Sequence, residues 1–226
     1  MPFLAGSISV RTYSVSEPAA DGYLAPFTKA LQRYAFQPID DRKGQTQAAG
    51  WVNIRNMLDN RLEPESWHFP PYIVLGFRVD RKTVPAALLR ARVEDAARRT
   101  LRQERRPRLS KDEKAALEAN IRSELLSQSL PSTSLTEVAW NLETNRLYVA
   151  STATGANDMV ATLFGETFER AVIPHLPYLV AEEWAENHNC MRALEGSYSS
   201  DFGQLHRQHR TERRHGVQVL QQEAAS

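Results

Sequence analysis

The residues with the clearest chemistry in this sequence are the basic side chains between Arg81 and Lys114. This stretch contains twelve Lys and Arg against five Asp and Glu, a balance of +7, whereas the whole chain of 226 residues carries +1. A nearly neutral protein that concentrates positive charge in one stretch presents it to an anionic partner. Most of these residues are arginine, whose planar guanidinium suits phosphate. The candidate phosphate-binding residues are Arg90, Arg92, Arg98, Arg99, Arg102, Arg105, Arg106, Arg108, Lys111 and Lys114.

Two consecutive helices, forming a helical hairpin over residues 84–128, are predicted to position these side chains. Pro85 suits the first turn of the first helix, and Pro107 disfavours helical geometry at the residue before it. Ser110 followed by Glu113 is the sequence of a capping box at the start of the second helix. The predicted inward-facing residues are Leu89, Val93, Ala96, Ala97 and Leu101 in the first helix and Ala116, Leu117, Ile121, Leu125 and Leu126 in the second.

A second interpretation of the same arginines is a solvated surface with ion pairs at i, i+4 spacing. The excess of basic over acidic residues on the first helix is too large for complete internal neutralisation. Phosphate binding and a solvated surface therefore both stay open at this point.

The rest of the chain predicts an α+β fold with an antiparallel or mixed sheet, packed helices and a protruding Arg-rich helical hairpin. Alternating or continuous apolar runs predict the strands, and amphipathic spacing predicts the helices. A domain is expected over residues 1–180, with a polar tail over 181–226. The predicted strands are Phe3–Val15, Gly50–Ile54, Tyr72–Arg81, Leu135–Leu142 and Arg146–Ser151, and the main further helices are Tyr23–Tyr34 and Thr154–Ala171.

Composition limits the class of protein. The chain is 42% hydrophobic and 24% charged, as in soluble globular proteins, and no apolar run approaches the roughly 20 residues that span a bilayer. The first residues lack the basic region of a signal peptide. The single cysteine, Cys190, excludes an intrachain disulfide and fits a reducing compartment. A cytoplasmic location and no membrane partner are expected.

The sequence gives little support for a catalytic site or a metal site. No phosphate-binding glycine loop or nucleophile elbow occurs, and no small-molecule substrate or cofactor is expected. A metal site would need residues from the set His188, Cys190, His206, His209 and His215, whose spacing is poor for ligands on one helix. The carboxylates available to a nuclease are Asp40, Asp41, Glu63, Glu65, Asp80, Glu182 and Glu183. Neighbouring acids among them point in different directions, so no catalytic residue and no metal ligand is predicted.

The order of the segments resembles the RdgC family of bacterial recombination-associated proteins. The resemblance covers roughly residues 1–178 and depends most on Gly50-Trp51-Val52, on Val84-Pro85 with its helix, and on Val138–Thr152. It implies an α+β homodimer in the form of a ring. It also implies sequence-tolerant binding of double-stranded DNA in a positively charged hole, and a role in limiting RecA-driven strand exchange.

The same resemblance implies that the basic helix and the start of the next one line or approach that hole, in a protein associated with the nucleoid. Longer members continue through a second half that helps close the ring, whereas this sequence continues into a short polar tail, so a short member is expected. Residues 129–135 also lack the aromatic residues of longer members. Two alternatives stay open: a metal-dependent nuclease, and a protein-interaction module with an acidic partner such as RecA.

Overall fold

The computed structural model describes residue 3 and residues 8–196 of the chain. Its strands are β1 Arg11–Val15, β2 Gln47–Val52, β3 His68–Phe69, β4 Tyr72–Arg81, β5 Ser132–Asn141, β6 Arg146–Val149 and β7 Val172–Pro174. Its helices are α1 Leu24–Arg33, α2 Pro64–Trp67, α3 Ala86–Glu104, α4 Lys111–Gln128, α5 Thr154–Phe168, α6 Pro177–Asn187 and α7 Met191–Glu195. Within the described residues, the seven strands form one sheet in the order β2-β4-β5-β6-β1-β7, with β3 also paired to β4.

The sheet is built around β4 and β5. The apolar sequence of β4 is typical of a central strand, and β5 pairs with it in antiparallel register along its whole length. The register runs from Tyr72 opposite Asn141 to Arg81 opposite Ser132. Every ladder between named strands is antiparallel. The two longest strands therefore end level with each other at the point where the chain leaves for α3 and returns from α4.

One face of the sheet is covered by α1 and α5 and forms the core. Trp140 on β5 lies 5.8 Å from Phe27 of α1 and 5.3 Å and 5.5 Å from Phe164 and Phe168 of α5, measured between ring centroids. Its indole N–H donates to Asn145 Oδ1 at 3.1 Å, so the buried ring leaves no polar group without a partner. Trp51, Phe77 and Trp140 are all buried.

The predicted α+β class with an antiparallel sheet is confirmed, but several predicted boundaries were wrong. The first strand begins at Arg11, because its partner strand β6 ends at Val149, directly opposite, whereas residues 4–7 of the predicted strand lie outside the described residues. The helix predicted to reach Ala171 ends at Phe168, where Glu169 takes a left-handed conformation with φ 56°. The strand predicted from Leu135 begins at Ser132, since β4 offers pairing partners that far.

Strand pairing also changes the bounds of the second predicted strand. The second strand covers Gln47–Val52 rather than Gly50–Ile54, because its first residues pair with the end of β4.

The chain divides into two compact units, Met1–His175 and Leu176–Ser226. Helices α6 and α7 belong to the second unit, and the predicted division near residue 180 stays a prediction. No helix in the described part of the chain combines the length and the apolar character needed to cross a membrane.

Candidate nucleic-acid interface

Helix α3 carries half of the predicted basic residues. Its sequence is rich in Ala, Leu and Arg, which are strong helix formers. The helix ends at Arg105, which adopts a left-handed conformation with φ 52° and donates its N–H to Leu101 O. The predicted inner face is confirmed, since Leu89 and Val93 are buried and the other three residues of that stripe are half-buried. These side chains pack mainly against α4.

Helix α4 begins with the capping box that the sequence predicts. The Glu113 N–H donates to Ser110 Oγ at 3.2 Å, and the Ser110 N–H donates to Glu113 Oε2 at 2.8 Å. Its apolar stripe is only half-buried, and no residue of α4 is fully buried. Ala116, predicted to face inward, is exposed. The two helices therefore pack on each other along a narrow seam, and whether the pair protrudes stays a prediction.

All ten predicted phosphate-binding side chains are exposed to solvent. Five of them lie on α3, three lie on the short connection between the helices, and two lie in the first turn of α4. In chain order they are Arg90, Arg92, Arg98, Arg99 and Arg102 on α3, then Arg105, Arg106 and Arg108, then Lys111 and Lys114.

Two of these arginines form ion pairs within α3. Arg98 Nη2 lies 3.3 Å from Glu94 Oε2, and Arg99 Nη2 lies 2.7 Å from Asp95 Oδ2, both at i, i+4 spacing. The solvated-surface interpretation thus describes this pair correctly. Exposed pairs of this kind contribute little to stability, but they lower the net charge that the helix presents to a phosphate.

Arg106 plays a different role, because its side chain links the end of α3 to the start of α4. Its guanidinium contacts Glu104 and lies 2.8 Å from Glu113 Oε1. The hydrogen bond from Arg106, followed by those from the Ser110 backbone and side chain, lowers the pKa of Glu113 from 4.5 to about 2. Arg106 is therefore a positioning residue that fixes the turn between the helices.

The other seven basic residues have no ion pair with any residue that the structure describes. They are Arg90, Arg92, Arg102, Arg105, Arg108, Lys111 and Lys114. Guanidinium and ammonium groups that are exposed and form no ion pair are available to phosphate oxygens. The structure thus separates the ten predicted residues into seven available cations and three paired ones.

The base of the hairpin is anchored by a residue that sequence reasoning missed. The Lys82 ammonium lies 2.7 Å and 2.9 Å from the two carboxylate oxygens of Asp41, and its backbone N–H donates to Thr46 O at 2.8 Å. The Lys82 side chain is only 8% exposed. The single 3₁₀ turn Asp41–Lys43 therefore holds the point where β4 leads into α3. No local motif marks these two residues as partners, because 41 residues separate them.

The carboxylates considered for a nuclease do not come together. Asp80 receives two hydrogen bonds from Arg78, Nε to Oδ1 at 2.9 Å and Nη2 to Oδ2 at 2.7 Å. These bonds hold the pKa of Asp80 below its usual value, against the opposing effect of burial. Asp41 pairs with Lys82. Among the described residues, no three His, Cys, Asp or Glu side chains could hold a metal ion, and His206, His209 and His215 lie outside those residues.

A comparison with known protein families shows which family the chain belongs to. A family model described as "Putative exonuclease, RdgC" matches residues 9–187. The chain belongs to the RdgC family. This match includes the whole sheet, α3 and α4, and all ten basic residues. No curated protein matches the chain.

Close packing explains one of the segments on which the RdgC resemblance depends. A Cβ atom on Gly50 would lie 2.5 Å from the Phe36 backbone N and 2.9 Å from the Ala35 carbonyl carbon. The adjacent backbone is hydrogen-bonded to Trp51, whose N–H donates to Tyr34 O at 3.1 Å. Glycine at this position lets the segment after α1 lie directly against β2. Glycine at the start of this Gly-Trp-Val segment is therefore required by the packing of this chain.

Proposed function

We propose that this RdgC-family protein binds double-stranded DNA without sequence preference, through the exposed basic surface of α3 and the start of α4. The proposed activity is non-catalytic, and its biological effect is to modulate RecA-type strand exchange. The observation that carries the proposal is the set of seven exposed cations without acidic partners among the described residues of one helical pair.

The arrangement favours backbone binding over base reading. Exposed arginine and lysine side chains neutralise phosphates and release counterions, and this contribution to affinity does not depend on sequence. Arginine and lysine can also bond to guanine edges, but phosphate contacts from exposed basic side chains need no particular base beside them. The chain also lacks the sequence patterns of helix-turn-helix and zinc-finger proteins. Sequence-tolerant binding follows from these features.

Salt dependence is the direct test of this proposal. If about seven phosphates are contacted, log K should fall with log salt with a slope of about −6. The Arg102→Ala/Arg108→Ala variant should reduce the magnitude of that slope by about 2 and weaken binding equally for unrelated duplexes. Fluorescence anisotropy with labelled duplexes of different sequence, over a salt series, measures both quantities.

A matched control removes two positive charges elsewhere. Lys29 and Arg33 are exposed on α1, outside the basic surface. The Lys29→Ala/Arg33→Ala variant changes net charge by the same amount and should leave the slope nearly unchanged. Equal losses in both double variants would show that only net charge matters. Absence of duplex binding at low salt would refute the proposal.

The same experiments separate the alternatives. Shortening of the DNA only with Mg²⁺ would establish a nuclease, the activity named in the description of the family model. Tight binding to RecA beside weak DNA binding would favour the protein-interaction module. A strand-exchange assay with RecA tests the modulating role. A homodimer and an association with the nucleoid belong to the proposal, and sedimentation and microscopy of the tagged protein test them.

A further inference from the structure

A cleft lies on the face of the sheet opposite the α1–α5 core. It has a volume of about 510 Å³, within the range of small-molecule sites. Four aromatic rings contribute to its lining, together with small aliphatic residues and one arginine. The lining residues are Phe3, Ile54, Arg55, Phe69, Tyr72, Val74, Ala139 and Tyr148.

Strand register explains how the cleft arises. Val74, Ala139 and Tyr148 are directly opposite one another on β4, β5 and β6, so their side chains form one row on this face. Tyr72 precedes Val74 by two residues and shares its face. It is also paired with Phe69 of β3. Ala139 is the small residue in the middle of this row, and it leaves a depression bordered by larger side chains.

The accessible charge at the cleft is positive. The Arg55 guanidinium lies 5.2 Å from the centre of the Phe69 ring, a cation–π contact, and it has no ion pair with any described residue. Its side chain is exposed. The acidic groups on this face are engaged: Asp80 pairs with Arg78, and the buried Glu137 accepts the Phe3 N–H at 2.9 Å.

We propose that this cleft binds an unpaired nucleobase together with its phosphate. The base stacks on the aromatic rings of the cleft, and Arg55 contacts the phosphate. Tyr72 and Tyr148 make no hydrogen bond to a described residue through their hydroxyl groups, so both can bond to the edge of a base. Aromatic rings beside an unpaired arginine are the combination with which proteins hold single-stranded nucleic acid. This site is separate from the basic surface of α3, and it does not depend on duplex binding there.

A single-stranded thymidine oligonucleotide carrying one 2-aminopurine tests the proposal, compared with the same strand carrying an abasic residue at that position. Stacking quenches 2-aminopurine fluorescence, and each stacked base contributes roughly tenfold to affinity. We expect quenching, and about tenfold weaker binding of the abasic strand. The Tyr72→Ala and Ala139→Leu variants should each abolish most of that difference. Tyr72 is 38% exposed, so its replacement is compatible with folding, whereas Ala139→Leu fills the cleft without removing a ring.

The controls distinguish this site from the basic surface. Arg102→Ala/Arg108→Ala should weaken binding of both strands while preserving their ratio. Saturation-transfer NMR with dTMP and thymidine tests whether a free nucleotide also binds, and Arg55→Ala should reduce dTMP to the level of thymidine. Binding of dTMP without preference for the base-bearing strand would assign the cleft to free nucleotides. Equal binding of both strands by the wild type, without quenching and without dTMP binding, would overturn the proposal.

Discussion

Arg106 and Glu113 connect α3 and α4 through one pair of side chains. Because Arg106 and the Ser110 N–H stabilise the carboxylate, the pKa of Glu113 falls from 4.5 to about 2. A carboxyl group with a lowered pKa in the folded state stabilises that state fully above its unfolded pKa, and the contribution is lost as the pH falls through the folded pKa. The turn between the helices should therefore loosen between about pH 4.5 and pH 2.

Carboxyl NMR titration of Glu113 measures this directly. Circular dichroism of the wild type and of Glu113→Gln across the same pH range provides the comparison. The variant should lack the part of the pH dependence that this carboxylate supplies, and identical curves would show that the contact has no effect on stability.

Asp80 and Arg78 form a second ion pair, on the face of the sheet that carries the cleft. Asp80 is 3% exposed, and Arg78 also lies 4.2 Å from the Phe36 ring centre and donates to Met57 O at 3.1 Å. Removing one partner of a buried pair leaves an uncompensated charge, so Asp80→Ala should lower the free energy of unfolding by about 3–5 kcal/mol. Urea unfolding measures the change.

The double variant Arg78→Leu/Asp80→Leu is the control for that prediction. Replacing both partners of a buried pair with apolar residues is close to neutral. A loss in the double variant as large as in Asp80→Ala would mean that packing of these side chains, rather than their charge pairing, accounts for the effect.

At the scale of elements, β2 depends on the absence of a side chain at Gly50. Alanine there would contact the Phe36 backbone, which cannot move as a side chain can. We expect Gly50→Ala to destabilise the protein by about 1–3 kcal/mol. A Cβ atom added at Gly155, in the first turn of α5, would meet no neighbouring atom within 4 Å, so Gly155→Ala should be neutral or stabilising. Thermal unfolding of both variants compares them, and equal melting temperatures would contradict this account.

Sequence reasoning succeeded where a pattern is local and failed where a partner is distant. The bounds of β4 are those predicted, because a continuous apolar run with a polar end identifies a central strand. The capping box at Ser110 and Glu113 was also predictable, since both residues lie within one turn. The polar start of β5 gives no strand signal, and its pairing with β4 alone makes it a strand.

The two candidate sites differ in the same way. The basic residues of α3 are close together in the sequence, so their number and residue type were enough to identify them as a candidate site. The ion pairs of Arg98 and Arg99 with acids at i, i+4 spacing became evident only from the geometry. The cleft combines Phe3, Phe69, Tyr72 and Tyr148 from separate parts of the chain. Such a cluster has no sequence signature, because strand pairing among β3, β4, β5 and β6 and the hydrogen bond from Phe3 to Glu137 bring its residues together.

At the scale of the whole molecule, the two proposed binding surfaces belong to different parts of the fold. One face supports the core under α1 and α5, the other carries the cleft, and the basic helices leave from the end of β4. Because the helices pack mainly on each other, their loss should leave the sheet intact. Replacing residues 83–131 with Asn-Gly, which leaves the three-residue loop Lys82-Asn-Gly between Arg81 and Ser132, should give a folded protein that has lost salt-dependent duplex binding. The amide spectrum of the sheet and the anisotropy titration test both parts, and collapse of the sheet would contradict the prediction.

Such a replacement is feasible because β4 ends and β5 begins at directly paired residues. Arg81 and Ser132 face each other as neighbours in a ladder, so the chain between them, about 50 residues, occupies the place of an ordinary hairpin turn. The basic helices are, in topological terms, a cassette inserted at a turn. We therefore expect that such a cassette can be lengthened, given a different charge or moved to another β-hairpin while the core of the sheet stays the same.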